Sequence, residues 1–146
     1  GPLQMVGVRE TCFISEIGSS VETALAEVKY VLAEHNLPLD GERISVYHKI
    51  DFKTQRFHYT CGVLLPSTVD SVPAGLSRWC IPAMQALAVE HVGIYEHLGN
   101  GWNAAIQFAR YKKLKQSKVG TFEIYKDDPQ RTSLEELRTE IFLPLK

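Results

Sequence analysis

The chain has 146 residues, enough for one domain or two small fused modules with an ordinary hydrophobic core. Its 16 Lys and Arg stand against 17 Asp and Glu, a formal net charge of −1, which offers no electrostatic footprint for nucleic acid or for an anionic membrane. The three cysteines, Cys12, Cys61 and Cys80, are odd in number, widely spaced and set among apolar residues, so neither a disulfide framework nor a zinc knuckle is expected; reduced thiols in a cytoplasmic protein are.

No apolar run approaches the ~18 residues of a membrane span, and no basic-then-apolar leader opens the chain. Gly1-Pro2-Leu3-Gln4 reads as a protease-site or cloning remnant and is set outside the fold. Thr11 to Ile17 predicts a strand, broken by Gly18-Ser19-Ser20, with Ser20 as a helix cap. From Val21 to about Glu34 the apolar residues Val21, Leu25, Val28 and Leu32 recur at three- and four-residue spacing, the pattern of an amphipathic helix lying on a core. His35-Asn36-Leu37-Pro38 ends it. Arg43 to Lys49 and Arg56 to Pro66 predict two strands joined by a turn over 50–55, and 67–75 reads as a surface connector.

The same order then returns. A strand is expected over 86–94, a helix from Asn100-Gly101 to about Lys115 with Trp102, Ile106, Ala109 and Lys113 on one stripe, and two closing strands around Thr121–Tyr125 and Thr139–Leu143. Gly41-x-x-Ile44-x-Val46-Tyr47-x-Lys49 resembles Gly120-Thr121-Phe122-x-Ile124-Tyr125-Lys126, and both halves end on Leu-Pro, at Leu65-Pro66 and Leu143-Pro144. The fold class this implies is α+β: duplicated strand-helix-strand-strand modules, residues 5–66 and 76–146, sharing an antiparallel sheet with helices on one face and a ligand cleft on the other.

Each closing strand mixes a carboxylate with an aromatic, Glu123 with Tyr125 and Glu140 with Phe142, a composition suited to a pocket for an organic ligand with a polar or cationic group. Equal parity places both glutamates on the cleft side, and setting Tyr47 on Tyr125 adds Tyr47 to the cleft. Tyr95 and Trp102 would complete an aromatic wall, with Trp79 at a rim. His35, His48, His58, His91 and His97 show no metal-ligand spacing, and no Gly-x-Ser-x-Gly elbow, P-loop or Gly-x-Gly-x-x-Gly is present. Neither a metal nor a cofactor is expected.

His91-Val92-Gly93-Ile94-Tyr95-Glu96-His97-Leu98-Gly99 with Trp102, Phe122-Glu123-Ile124-Tyr125-x-x-Asp128-Pro129, and Glu135-Glu136-Leu137-Arg138-Thr139-Glu140-Ile141-x-Leu143-Pro144-Leu145 together resemble the GyrI-like small-molecule-binding superfamily, also described as the AraC-type effector-binding domain. The family's usual Gly-Pro-Tyr stands here as Gly93-Ile94-Tyr95. The resemblance implies an aromatic cleft around an acid, with Glu123 at the position of the ligand-contacting glutamate. It implies a bacterial, cytoplasmic, stand-alone sensor of hydrophobic or cationic drug-like molecules, or the effector-binding part of a longer transcription regulator. Two alternatives come with it: a glutamate-dependent hydrolase of cyclopropane-bearing natural products, using Glu123 or Glu140, and a gyrase-inhibitor-like module that binds a protein partner.

Overall fold

A computed structural model of the chain describes residues 3–37, 41–51, 53–66, 73, 75–82, 84–93, 98–117, 120–127 and 131–146. These form two compact units, Gly1–Ala83 and Met84–Lys146. The first contains β1 (Leu3–Phe13), α1 (Ile17–Glu34), β2 (Arg43–Asp51), β3 (Arg56–Leu65) and β4 (Ser77–Ile81); the second contains β5 (Ala86–Val92), α2 (Leu98–Tyr111), β6 (Thr121–Tyr125) and β7 (Arg138–Pro144). Neither helix is long and apolar enough to cross a membrane.

In the first unit the strands run β4-β1-β3-β2, each described pair antiparallel. Helix α1 buries Ala24, Leu25, Val28 and Leu32, three- and four-residue steps that form one stripe. The stripe lies on Val6 and Val8 of β1 and on Tyr59, Cys61 and Val63 of β3. The helix begins at Ile17, four residues before the expected start, after a 3-10 turn over Ile14–Glu16. Ser20 is therefore inside the helix, where its hydroxyl bonds the Tyr59 hydroxyl rather than capping the first turn. At the other end Asn36 takes the left-handed conformation (φ 54°), and the Leu37 amide donates to Leu32 O at 3.0 Å, as helix ends do when an asparagine replaces glycine after the last turn.

The opposite face of this sheet is also closed, since Met5, Ile44 and Val46 are fully buried. Gly7 stands opposite Gly62 in the β1–β3 ladder; a Cβ on either would collide with the partner strand's backbone, so the close approach of these strands requires both glycines. Strand β1 begins at Leu3, and Gln4 pairs with Leu65 on one side and Cys80 on the other. Gln4 also accepts from Arg78 and donates to Pro66 O at 3.4 Å. Leu3 and Gln4 thus belong to the sheet, contrary to their exclusion on sequence grounds. Most of the expected connector 67–75 lies outside the described residues, and β4 beyond it pairs with β1 as a fourth strand of the first unit.

In the second unit the strands run β6-β7-β5, antiparallel, with α2 seated on β5 and β7. Ala105 and Ala109 of α2 are buried against Leu143, flanked by Leu87, Val89, Trp102 and Ile106. The β6–β7 ladder is clamped at one end by Arg138, whose backbone amide and guanidinium bond the Asp127 carboxylate at 2.9–3.0 Å. The duplication expected from the sequence is present: β1-α1-β2-β3 pairs as β1–β3–β2, and β5-α2-β6-β7 as β5–β7–β6.

Candidate functional site

Strand β6 is buried at four successive residues: Phe122, Glu123, Ile124 and Tyr125. A five-residue strand buried on both faces is ordinarily aliphatic, so a glutamate in it must have its carboxylate accommodated. The register decides where. Glu123 stands opposite Ile141 and Tyr125 opposite Thr139; Ile141 and Thr139 in turn stand opposite Val89 and His91. Directly paired residues share a face, so Glu123, Tyr125, Thr139, Ile141, Val89 and His91 lie together. Leu143 and Leu87 continue that face, and they carry α2.

Glu123 is 3% exposed. The Trp102 indole N–H, from α2, donates to its Oε1, and the Tyr125 hydroxyl, two residues along β6, donates to its Oε2 at 2.8 Å. A buried carboxylate is costly unless its oxygens are bonded. Here both oxygens accept from aromatic donors, so the acid is held in a fixed orientation with aromatic rings beside it.

The other expected site residues are distributed differently. Glu140 stands opposite Ile124, which puts it on the face away from α2; its Oε1 lies 3.1 Å from Lys126 Nζ, with both side chains about 30% exposed. Phe142 shares that face and stacks on Phe122 at 4.7 Å and 13°. The expectation that Glu123 and Glu140 share a face, away from the helices, is therefore corrected: the alternation within each strand holds, but the register between β6 and β7 sets the faces of the two glutamates opposite, since a one-residue difference exchanges the faces. Tyr47 belongs to the first unit, on the α1-bearing side, with ring centroids 5.3 Å from Phe57 and 6.1 Å from Tyr59. Trp79 meets the His48 ring edge-on at 4.8 Å in that same unit. Tyr95 lies outside the described residues.

One residue of the Glu123 face went unnoticed in the sequence. Thr139 is fully buried, and its Oγ1 has no hydrogen-bond partner among the described residues. The available signal was a threonine at the inward parity of a strand whose next inward positions are Ile141 and Leu143.

A hollow of about 610 Å³ opens elsewhere, on the first unit, lined by Glu10, Cys12, Phe13, Glu16, Ser19 and Arg56 among others. Burial pushes the Cys12 thiol up, a Ser20 hydrogen bond offsets this in part, and Glu16 and Glu10 raise it further. That environment suppresses the thiolate a nucleophile would need. Among the described residues no three His, Cys, Asp or Glu side chains gather as a metal would require.

A family model described as GyrI-like small molecule binding domain matches residues 1–146. No curated protein matches the chain. Among solved structures, the EcmrR C-terminal domain superposes with a TM-score of 0.77 at 17% identity, covering 100% of this chain and 94% of that one. EcmrR in its complex with DNA gives a TM-score of 0.80 at 17% identity over 99% of this chain, which spans 54% of the EcmrR chain. SAV2435 bound to tetraphenylphosphonium gives 0.70 at 18% identity, covering 100% and 90% of the two chains.

Proposed function

Because the chain belongs to the family of GyrI-like small molecule binding domains, we propose that it binds lipophilic cations, with the Glu123 carboxylate as the polar anchor and Trp102 and Tyr125 as its aromatic walls. The observation that carries this reading is the buried Glu123 carboxylate with Trp102 on one oxygen and Tyr125 on the other. A carboxylate removed from water attracts a cation far more strongly than one at the surface. The ring faces beside it add attraction for a delocalised or quaternary cation and provide area for its apolar part. SAV2435, a neighbour in fold, is bound to such a cation, tetraphenylphosphonium, which supports the ligand class.

A domain of this fold makes up about half of the EcmrR chain in its DNA complex. This supports a place for the chain as the ligand-reading part of a transcription regulator, acting in the cytoplasm where the thiols of Cys12, Cys61 and Cys80 stay reduced.

Titration with tetraphenylphosphonium, followed by calorimetry and by tryptophan fluorescence, tests the proposal. Wild type is expected to bind with quenching of Trp102, and Glu123→Gln to weaken binding by about 1–3 kcal/mol, the usual effect of leaving a buried charge without its partner. Equal affinities for wild type and variant would remove Glu123 as the anchor.

A further inference from the structure

We infer that Thr139 is a second polar contact of the ligand site, and that the ligands this chain prefers carry an acceptor oxygen, as a hydroxyl, ether or carbonyl, close to the cationic centre. The inference rests on the Glu123 site proposed above and names the ligand class more narrowly.

Thr139 is fully buried, yet its hydroxyl has no hydrogen-bond partner among the described residues. Buried hydroxyls are nearly always bonded, and one left unmade is destabilising. Packing does not ask for it. The neighbouring inward positions are Ile141 and Leu143, and valine has the same shape as threonine without the polar atom.

The first unit shows how such a position is satisfied internally. There Tyr59 stands opposite Tyr47, as Thr139 stands opposite Tyr125, and the Tyr59 hydroxyl bonds Ser20 of α1. Ser20 lies four residues before the buried Ala24; the residue four before the buried Ala105 is Gly101, which has no hydroxyl to give. Gly101 is also held close to the sheet, since a Cβ there would come within 2.8 Å of Ile141 Cδ1 and 3.4 Å of His91 Cβ. Among the described residues, α2 therefore offers Thr139 no hydroxyl at the position from which α1 serves Tyr59.

The position of the hydroxyl fits a ligand contact. Thr139 is the direct cross-strand neighbour of Tyr125, whose own hydroxyl holds Glu123, and direct neighbours on one face have Cβ atoms about 4.5–5.5 Å apart. Oγ1 is closed to solvent here, so a molecule anchored on Glu123 would need a short polar arm and a local opening beside Tyr125 to reach it.

Two probes of nearly equal shape test this: butyltriphenylphosphonium and (3-hydroxypropyl)triphenylphosphonium, in which a terminal methyl is exchanged for a hydroxyl. Wild type and Thr139→Ser are expected to bind the hydroxyl probe about two- to tenfold tighter than the butyl probe, the range of one net hydrogen bond. Thr139→Val is expected to lose that preference while binding the butyl probe as well as wild type does, with a melting temperature equal to or above wild type. Equal affinity of wild type for the two probes, or an equal loss for both in Thr139→Val, would overturn the inference and leave the Glu123 anchor standing; the latter is the result if the hydroxyl holds only a structural water. Failure of both probes to bind wild type would overturn the anchor as well.

Discussion

Tyr59 and Thr139 occupy the same ladder position in the two units, each opposite the tyrosine of the helix-bearing face, Tyr47 in one and Tyr125 in the other. Tyr59 reaches α1 and bonds Ser20; Thr139 bonds nothing among the described residues. The duplicated architecture is thus used unequally, with one copy closed on itself by a hydroxyl pair and the other burying on its helix-bearing face a glutamate and a hydroxyl that has no partner among the described residues.

Ser20→Ala should accordingly destabilise the chain by about 1–3 kcal/mol in urea unfolding, because it leaves the fully buried Tyr59 hydroxyl unmatched. Tyr59→Phe should cost less, since the serine left behind is only half-buried and can turn to water. The reverse order would mean that the Ser20 hydroxyl has another role.

Glu140→Gln should leave cation binding unchanged and stability within about 1 kcal/mol, because the Glu140–Lys126 pair is partly exposed and lies on the face away from α2. Glu123→Gln should weaken the same binding. Calorimetry on the two variants side by side checks the assignment of faces, and a loss with Glu140→Gln would refute it.

Trp102→Phe and Tyr125→Phe each remove one donor from Glu123 while keeping an aromatic ring in place. Each should lower stability by about 1–3 kcal/mol through the hydrogen bond lost by the buried carboxylate. The effects should be non-additive, since both donors serve one carboxylate. A double variant whose loss equals the sum of the single losses would show that the two contacts act independently.

The helices and the duplication were legible because they rest on local pattern. Leu25, Val28 and Leu32 form the α1 stripe where the spacing put it, and the strand-helix-strand-strand order follows from apolar runs between turn residues. Strand β1 was only partly visible: Met5 and Val6 are buried on opposite faces, so the run shows no alternation, and Gly7 is a close-approach position rather than a residue of apolar pattern. The pairing of Trp102 with Glu123 spans 21 residues and depends on how α2 sits over β6. Both residues could be chosen from the sequence, but their hydrogen bond could not. The faces of Glu123 and Glu140 failed for a related reason, because register is a relation between strands and parity within a strand does not contain it.

The last prediction concerns acid. His48 sits at the β2 irregularity between Tyr47 and Lys49, with Nε2 2.7 Å from Thr60 Oγ1 and the Trp79 ring against its own. Burial lowers its pKa below the ordinary 6.5, and the nearby Arg9 guanidinium lowers it further. Both causes disfavour the imidazolium. In the unfolded chain this histidine takes up a proton near its ordinary pKa, whereas the folded chain resists it, so below that value the unfolded state binds more protons. The stability contributed by neutral His48 is therefore present above about pH 6.5 and is lost as the pH falls through the lower folded value. Urea midpoints for wild type should fall between about pH 7 and about pH 5, and His48→Gln should show a smaller fall over the same interval, because the His48 contribution is absent from it. An NMR titration that finds His48 protonating at or above its ordinary value, or a variant whose acid sensitivity equals that of wild type, would rule out this residue as the source.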